Sequence, residues 1–569
     1  MKKTSSNPDV IPHGANYPAI RLLQLAVGFL QAGKSVEAEA GFKKVIAHDP
    51  GNGIALHQLS LLAYERGERE KARALLEQAL ESEPENLMLL TSHGVMLHEM
   101  GQPREALDSF LRALALDSAQ AEIWNAAGIC FQETGQPVTA MEFYLLALKL
   151  QPNYAEANNN IGVVLTQEGD NDAAIEHFRQ ALAVQPDYPD CYSNLGVALR
   201  NRFEYRAAIE AFREGYRLKP DRADLAGALG EALSLIYDDE AEVMLRRGVE
   251  LQPGDPEKHW NLALELLKHG DYTAGWQEYE WRWKRTRDQT PLPVFAQPFW
   301  RNEAGQVIAG QTILLHAEQG FGDTLQFLRY VPLVLSKGVQ VVLEVQPELK
   351  RLIEMYARQN EGVVVIAAGE PRPAFDWHTP LMSLPQAFGT TMETIPAPVR
   401  LLPAVTEAQP RGETLRVGIA WAGNRAHARD RERSVPWETL LPLFEVPGCE
   451  WVSLQVGATS ERMPMAQPLL KDFLDTADVI DTLDVVLCVD SAVAHLAGSQ
   501  GARTWMLLPY VADWRWLRPE QKTSPWYPGA RVFRQTRLPE GEAQSELWKP
   551  VIAEVANALN ALHKSLLFA

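Results

Sequence analysis

From Tyr17 to about residue 285, apolar positions recur in helix-length blocks, and after Pro291 the pattern shifts to short β-rich runs set between helices. The first region is built on one step. Pro50, Pro84, Pro152, Pro186 and Pro220 stand in register, Ser118 fills the vacant slot, and the step is 34 residues until it shortens to 33 before Pro253. Gly94, Gly128, Gly162, Gly196 and Gly230 form a second row, and Ala38, Ala72, Ala106, Ala140, Ala174 and Ala208 a third. Both are small where the two helices of one hairpin must approach closely. Phe42, Leu76, Phe110, Tyr144, Phe178 and Phe212 form a bulky row, expected to fill the groove to the next hairpin. Gly33, Gly67, Gly101, Gly135 and Gly169 permit the turn between helices, and each proline stands where a second helix has ended.

The last units depart from the pattern. Phe203 and then Tyr237 replace the turn glycine, and the exit carries Trp276, Trp281 and Trp283. A terminal repeat needs a polar cap or a partner domain. So many aromatics favour docking onto the following domain; the alternative is a self-packed capping helix.

The β-rich runs are Thr312–Ala317, Val339–Val345 and Val363–Ala368, then Leu415–Trp421, Glu450–Val456, Asp484–Val489 and Arg503–Pro509. Strands alternating with helices predict parallel sheets with helices on both faces, here two Rossmann-like halves facing across a cleft. The expected organisation is a tail over 1–16, an all-α repeat array over 17–285, a linker over 286–310, and α/β halves over 311–405 and 411–569. An amphipathic helix, Glu546–Leu567, closes the second half.

Composition narrows the function. A chain of 569 residues that is 46% hydrophobic and 22% charged is folded and multidomain. Acidic residues outnumber basic ones 73 to 54, for a net charge of −19, against nonspecific nucleic-acid binding. Cys130, Cys191, Cys449 and Cys488 are far apart and form no CxxC pair, so they read as buried small hydrophobes in a reducing compartment. The N-terminus starts basic but lacks an apolar core, and no run of eighteen apolar residues occurs. A cytoplasmic protein without membrane spans is expected, with its oligomeric state open.

Three segments carry candidate chemistry. In "HAEQGFGDTLQF", Gly320 and Gly322 follow a strand and Asp323 opens a helix, as a plain helix cap would also do. The loop Trp421–Pro436, with Asn424, Arg425, Arg429, Arg431 and Arg433, follows a strand end, where ligands bind in α/β sheets, and guanidinium groups there suit a diphosphate. "DVVLCVDSAVAHLAGS" ends a strand at Asp490 and starts a helix at Ser491, so the amides of Ser491, Ala492 and Val493 form an anion site with His495 one turn in. The segment Asp513–Pro528 reads as aromatic core, with stacking on a ligand as the other possibility. In the array, Asn160, Asn194 and Asn261 share one position on first helices; three solvated polar residues would look the same. His57, His93 and His98 carry no assigned role.

The 34-residue rows resemble the tetratricopeptide repeat, which implies an α-solenoid with a concave face. The asparagine row resembles the ladder of O-GlcNAc transferases, whose amides grip an extended protein acceptor. "GDTLQFLRYVP", "RERSVP" and "DSAVAHLAGS" resemble, in order and spacing, motifs of heptosyltransferase-like enzymes of glycosyltransferase family 9. Repeats fused to such a domain resemble bacterial protein O-glycosyltransferases, flagellin-modifying ones included. The resemblance implies a GT-B fold and an inverting, metal-independent transfer from a nucleotide sugar. It makes Asp323 the general base and puts Arg433 at the family's lysine, against charge on the leaving diphosphate. It has Ser491, Ala492 and Val493 hold that diphosphate, with Asp490 and His495 on nucleotide or sugar and Gly322, Asn424 and Arg429 lining the donor site. The acceptor implied is a Ser or Thr hydroxyl of a protein held by Asn160, Asn194 and Asn261. Ser491-Ala492 in place of Thr-Gly, and arginine in place of lysine, leave the sugar and base unspecified. A transferase elongating a lipid-linked saccharide, and a non-catalytic scaffold with a degenerate transferase domain, are the other readings.

Overall fold

The computed structural model describes residues 17–285, 294–303, 306, 309–403, 413–424, 429–457 and 464–567. The chain divides into two compact units, Met1–Ala198 and Leu199–Ala569.

The first unit is a stack of helical hairpins, from Tyr17–Gln31 and Ser35–His48 to Ala155–Glu168 and Asn171–Val184. The small rows do what their size allows. A Cβ on Gly94, Gly128 or Gly162 would stand 2.6 Å from the ring of Phe110, Tyr144 or Phe178 respectively, so only glycine admits the ring. These three rings lie on the glycine of their own hairpin, and the bulky row also faces the next hairpin as expected, Phe42 clustering with Ala55 and Leu59 and Tyr144 with Ile161 and Val164. The turn glycines from Gly33 to Gly169 are left-handed, with φ between 72° and 88°. Pro103 and Pro137 start second helices, where a missing N–H costs nothing. His57 and His93 are tied down by Ser92 and Ser109, at 2.8 and 2.9 Å.

The second unit begins with the last repeats and continues into an α/β region of two all-parallel sheets. The first sheet has the order β3-β2-β1-β4, with β1 Thr312–His316, β2 Gln340–Val345, β3 Val363–Ala367 and β4 Trp377–Pro380. The second has the order β6-β5-β7-β8-β9, with β5 Leu415–Ala420, β6 Cys449–Ser453, β7 Val485–Val489, β8 Thr504–Leu508 and β9 Arg531–Arg534. Strand β7 ends at Val489, as the run Asp484–Val489 predicts, with Asp490 in the turn beyond it. The helices that matter below are α1 (Phe321–Phe327), α2 (Ala492–Gln500) and α3 (Gln544–Leu567). Strands β4 and β9 were not expected from the sequence.

One hydrophobic cluster runs from the last repeat through both sheets, joining Tyr272, Trp276 and Tyr279 to Leu315 and Leu343 of the first sheet and to Val486 and Met506 of the second. Trp276 packs edge-on to Phe327, Trp514 and Trp526 at 5.3–6.2 Å between ring centres, so the exit of the array docks as its aromatics imply. Trp281 instead stacks on His259, inside the repeat. Helix α3 covers the other face of the second sheet with Trp548, Val551, Ile552, Val555 and Leu559. The cysteines are unpaired, and Cys130, Cys191 and Cys488 are buried. Among the described residues, no helix is long and apolar enough to cross a membrane.

Candidate functional site

Parallel sheets bind ligands beyond their strand C-termini, where neighbouring strands send their connections to opposite sides. In the second sheet that point lies between β5 and β7, and in the first between β1 and β4. The loops leaving β5, β7 and β1 are the three segments singled out above. A cavity of about 580 Å³ lies elsewhere, at the strand starts near Leu415, Asp484, Arg503 and Ala530.

The loop after β1 and the turn after β7 meet. Helices α1 and α2 pack so closely that a Cβ on Gly322 would stand 2.6 Å from His495 Cδ2 and 3.6 Å from Ala492 Cα. Gly322 is therefore required by contact with α2. Asp323 caps its own helix, its Oδ2 accepting from the Gly320 amide at 2.9 Å, and its Oδ1 pairs with Arg515. Burial pushes this carboxyl above the ordinary aspartate range and the Asp513 charge adds to that, while Arg515 opposes it.

Ser491 caps α2 by backbone, with no side-chain bond back to the helix. Its Oγ is buried and has no hydrogen-bond partner among the described residues. The Ala494 amide turns back to the Ser491 carbonyl at 3.0 Å, behind the first-turn amides of Ser491, Ala492 and Val493. Burial raises the Asp490 carboxyl to about 6, with Asp513 adding to the rise and Arg515, Trp516 and Arg433 drawing it down. His495 is buried, shares a 3.0 Å hydrogen bond with the Tyr527 hydroxyl through Nδ1, and is held neutral by burial and the charges of Arg515 and Arg329.

The arginine loop divides. Arg433 donates to Asp430 at 3.1 Å and lies under Gly423, close enough that its charge is felt at Asp490. Arg429 pairs with Glu432 and donates to the Val511 carbonyl at 3.0 Å, on the side of Tyr205 and Tyr237. Asn424 ends the described part of the loop's first arm; Arg425 lies outside the described residues.

The asparagine row is not a set of isolated amides. Asn160 donates to Asn125 of the preceding repeat at 3.0 Å, Asn194 donates to Asn159 at 2.9 Å, and Asn159 donates to Asn160 at 3.3 Å. In the second unit, Asn261 donates to Glu231. Each of these amides keeps one N–H beyond the bond it donates here.

Sequence reasoning missed Arg515 and Asp513. Trp514, Trp516, Trp526 and Tyr527 of that segment are buried, as the core reading expected. Between them Arg515 bridges Asp323, Gln326 and Asp513, the last at 2.8 Å. The one available signal was its place just beyond the end of β8. Together the segments offer a buried carboxylate that can take a proton, a helix start with an unpartnered hydroxyl, and a guanidinium nearby.

Models of the tetratricopeptide repeat match residues 29–89, 97–155 and 190–218, and a further TPR repeat model matches 162–201. Protein FlbA of Caulobacter vibrioides is a distant relative, 26% identical over an alignment of 348 positions, gaps included, that covers 54% of this chain and 56% of that protein. The chain thus spans little more than half the length of the curated relative it matches. Similar solved structures include the MamA protein (21% identity, TM-score 0.27, 30% of this chain and 93% of that one). A tetratricopeptide repeat protein from Parabacteroides merdae (16%, 0.38, 44% and 98%) and YrrB, a TPR protein with an unusual peptide-binding site (24%, 0.28, 32% and 95%), are others.

Proposed function

We propose that this tetratricopeptide repeat protein, with its C-terminal α/β region of two parallel sheets, is a glycosyltransferase of the GT-B type. It moves a sugar, with inversion and without a metal, from a nucleotide sugar to a Ser or Thr hydroxyl of a protein recruited by the repeats. The observation that carries the reading is the meeting of the loop after β1, with Asp323, and the turn after β7, with Ser491 and its unpartnered hydroxyl, beside Arg433.

In this reading Asp323 takes the acceptor's hydroxyl proton as its oxygen bonds to the sugar's anomeric carbon, and the bond from that carbon to the phosphate breaks. The departing nucleoside diphosphate is met by the amides of Ser491, Ala492 and Val493 and by the Arg433 guanidinium. Asp490 and His495 face nucleotide or sugar, and Gly322, Asn424 and Arg429 complete the donor side. His495 stays neutral and so reads hydroxyls rather than phosphate. On the acceptor side, the remaining N–H groups of Asn160, Asn194 and Asn261 are available to a polypeptide backbone. Flagellin or another surface protein is the acceptor class the fusion suggests.

The test is intact mass of a candidate acceptor protein incubated with the full chain and each of a panel of nucleotide sugars. One donor should add one sugar mass per site, and Asp323→Asn should abolish the addition while still binding the nucleotide. A fully active Asp323→Asn variant would remove Asp323 from the base role. Addition to a lipid-linked saccharide alone would select the elongating reading instead.

A further inference from the structure

The turn position between repeat helices carries glycine wherever it has no packing task. At Gly33, Gly67, Gly101, Gly135 and Gly169 a Cβ would meet nothing within 4 Å, and the residue serves only its left-handed φ. The next two turns keep that conformation without glycine, at Phe203 (φ 64°) and Tyr237 (φ 59°). A bulky residue there costs on the order of 1–2 kcal/mol, so the surroundings must over-determine it. At Gly270 of the following repeat, the nearest atoms belong to Met392 of the α/β region, at 3.5 Å.

The surroundings of Tyr237 are the segment after β8. Its hydroxyl donates to the Tyr510 carbonyl at 3.0 Å and accepts from the Ala512 amide at 3.1 Å, bridging the backbone one residue before Asp513. Its ring meets that of Tyr510 edge-on at 5.7 Å. Arg518, at the far end of the same segment, donates to the Tyr237 carbonyl, to Asp239 at 2.6 Å and to His269 at 2.8 Å. Between these anchors the backbone is strained again, with φ 53° at Leu517, and Arg534 holds the carbonyls of Trp516 and Leu517 at 2.8 and 3.2 Å. The anchored piece, Asp513 to Arg515, supplies the guanidinium that grips Asp323.

We infer that Tyr237, on the repeat array, is a positioning residue for the transfer site: by pinning Tyr510–Ala512 it sets Arg515, and through Arg515 the orientation of Asp323. The inference rests on the transferase reading for its kinetic consequence but not for its structural one. It also gives the glycine-to-tyrosine exchange a cause, since only a side chain that reaches the α/β region repays the strained turn.

The experiment compares the full wild-type chain with Tyr237→Phe, which keeps the ring and the turn and deletes only the hydroxyl, and with Tyr237→Gly, which relaxes the turn and removes the whole side chain. Hydrogen–deuterium exchange is followed without substrate, and transfer kinetics with the donor that the panel identifies. In Tyr237→Phe, exchange at the Ala512 amide and through 512–516 should rise about tenfold, the size of one to two lost neutral hydrogen bonds. Helix Tyr205–Leu218 and β8 should exchange as in the wild type, and kcat should fall about tenfold with the donor's KM unchanged. Tyr237→Gly should exceed both effects although its turn is more favourable. Wild-type exchange at 512–516, a rise spread over the whole unit, or loosened exchange with unchanged kcat would each overturn the inference. If the wild type transfers no sugar, the transferase reading fails and the exchange data alone decide whether Tyr237 holds the segment.

Discussion

Arg282 has no exposed surface, and replacing it by methionine would strand its partners. Its guanidinium makes two parallel bonds to Glu318, at 2.9 and 3.0 Å, and reaches Glu280 and Ser383 at 2.7 Å. Glu280, 27% exposed, can turn to water; Glu318, 7% exposed, cannot. Leaving one buried carboxylate unpaired costs about 3–5 kcal/mol. In Arg282→Met/Glu318→Leu the stranded charge is gone, and what remains is the Met382 amide that Glu318 accepted from at 3.1 Å, about 1–2 kcal/mol. The double variant should therefore be more stable than the single one by about 2 kcal/mol. Burial already holds the Glu318 carboxyl above its ordinary range, and removal of Arg282 raises it further. A carboxyl raised in the folded state favours folding at low pH and opposes it as pH rises through the raised value, so the single variant's deficit should shrink on acidification. Urea unfolding of the intact chain followed by tryptophan fluorescence reads the relevant unit, since of 15 tryptophans only Trp124 lies in the first. A loss below about 1 kcal/mol in Arg282→Met, or no recovery in the double variant, would refute the argument.

Gly162→Ala puts a methyl into the Phe178 ring and should cost about 1–3 kcal/mol, whereas Gly169→Ala meets open space and should cost about 1 kcal/mol from its left-handed backbone; thermal unfolding ranks the two. His316 is buried, its ring nitrogens have no hydrogen-bond partner among the described residues, and burial, helped by His378 and Arg372, lowers it to about 3, so the fold should lose up to about 5 kcal/mol as pH falls from 7 to 3. His316→Phe should flatten that slope in a pH series of urea midpoints. Burial raises the Asp490 carboxyl, so its ionisation opposes folding increasingly as pH rises from the ordinary aspartate range, and Asp490→Asn should stabilise the ligand-free chain at pH 7, with the gain gone below about pH 4, in the same series of midpoints.

The repeat array was legible because a fixed step places the same steric demand at each unit, and glycine under an aromatic ring is a demand sequence can display. That Phe110 lies on Gly94 of its own hairpin, besides clustering with Ile123 and Ala127 of the next, is not set by spacing alone. The asparagine row was read from Asn160, Asn194 and Asn261, but the first two bond diagonally to Asn125 and Asn159, one position off the row, and the third to Glu231. Seven strands announced themselves as apolar runs. Strand β4 has four residues ending in proline, and β9 begins and ends in arginine, so neither looks like a buried strand. At the site, Asp323, Asp490 and Ser491 lie beside the ends of their strands, where a sequence pattern can locate them. Arg515 enters only because a loop folds back and is held by Tyr237, Arg518 and Arg534, contacts separated by hundreds of residues or made by a strand the sequence hid.

If the ends of β1, β5 and β7 form the proposed nucleotide-sugar site, calorimetric titration of the full chain with UDP, GDP, ADP, CMP and dTDP and their sugar conjugates should show saturable binding at one site per chain for one base. Ser491→Val, which fills the helix start with an apolar side chain, should weaken that binding at least tenfold. Binding by none of them, or binding indifferent to Ser491→Val, would rule the site out.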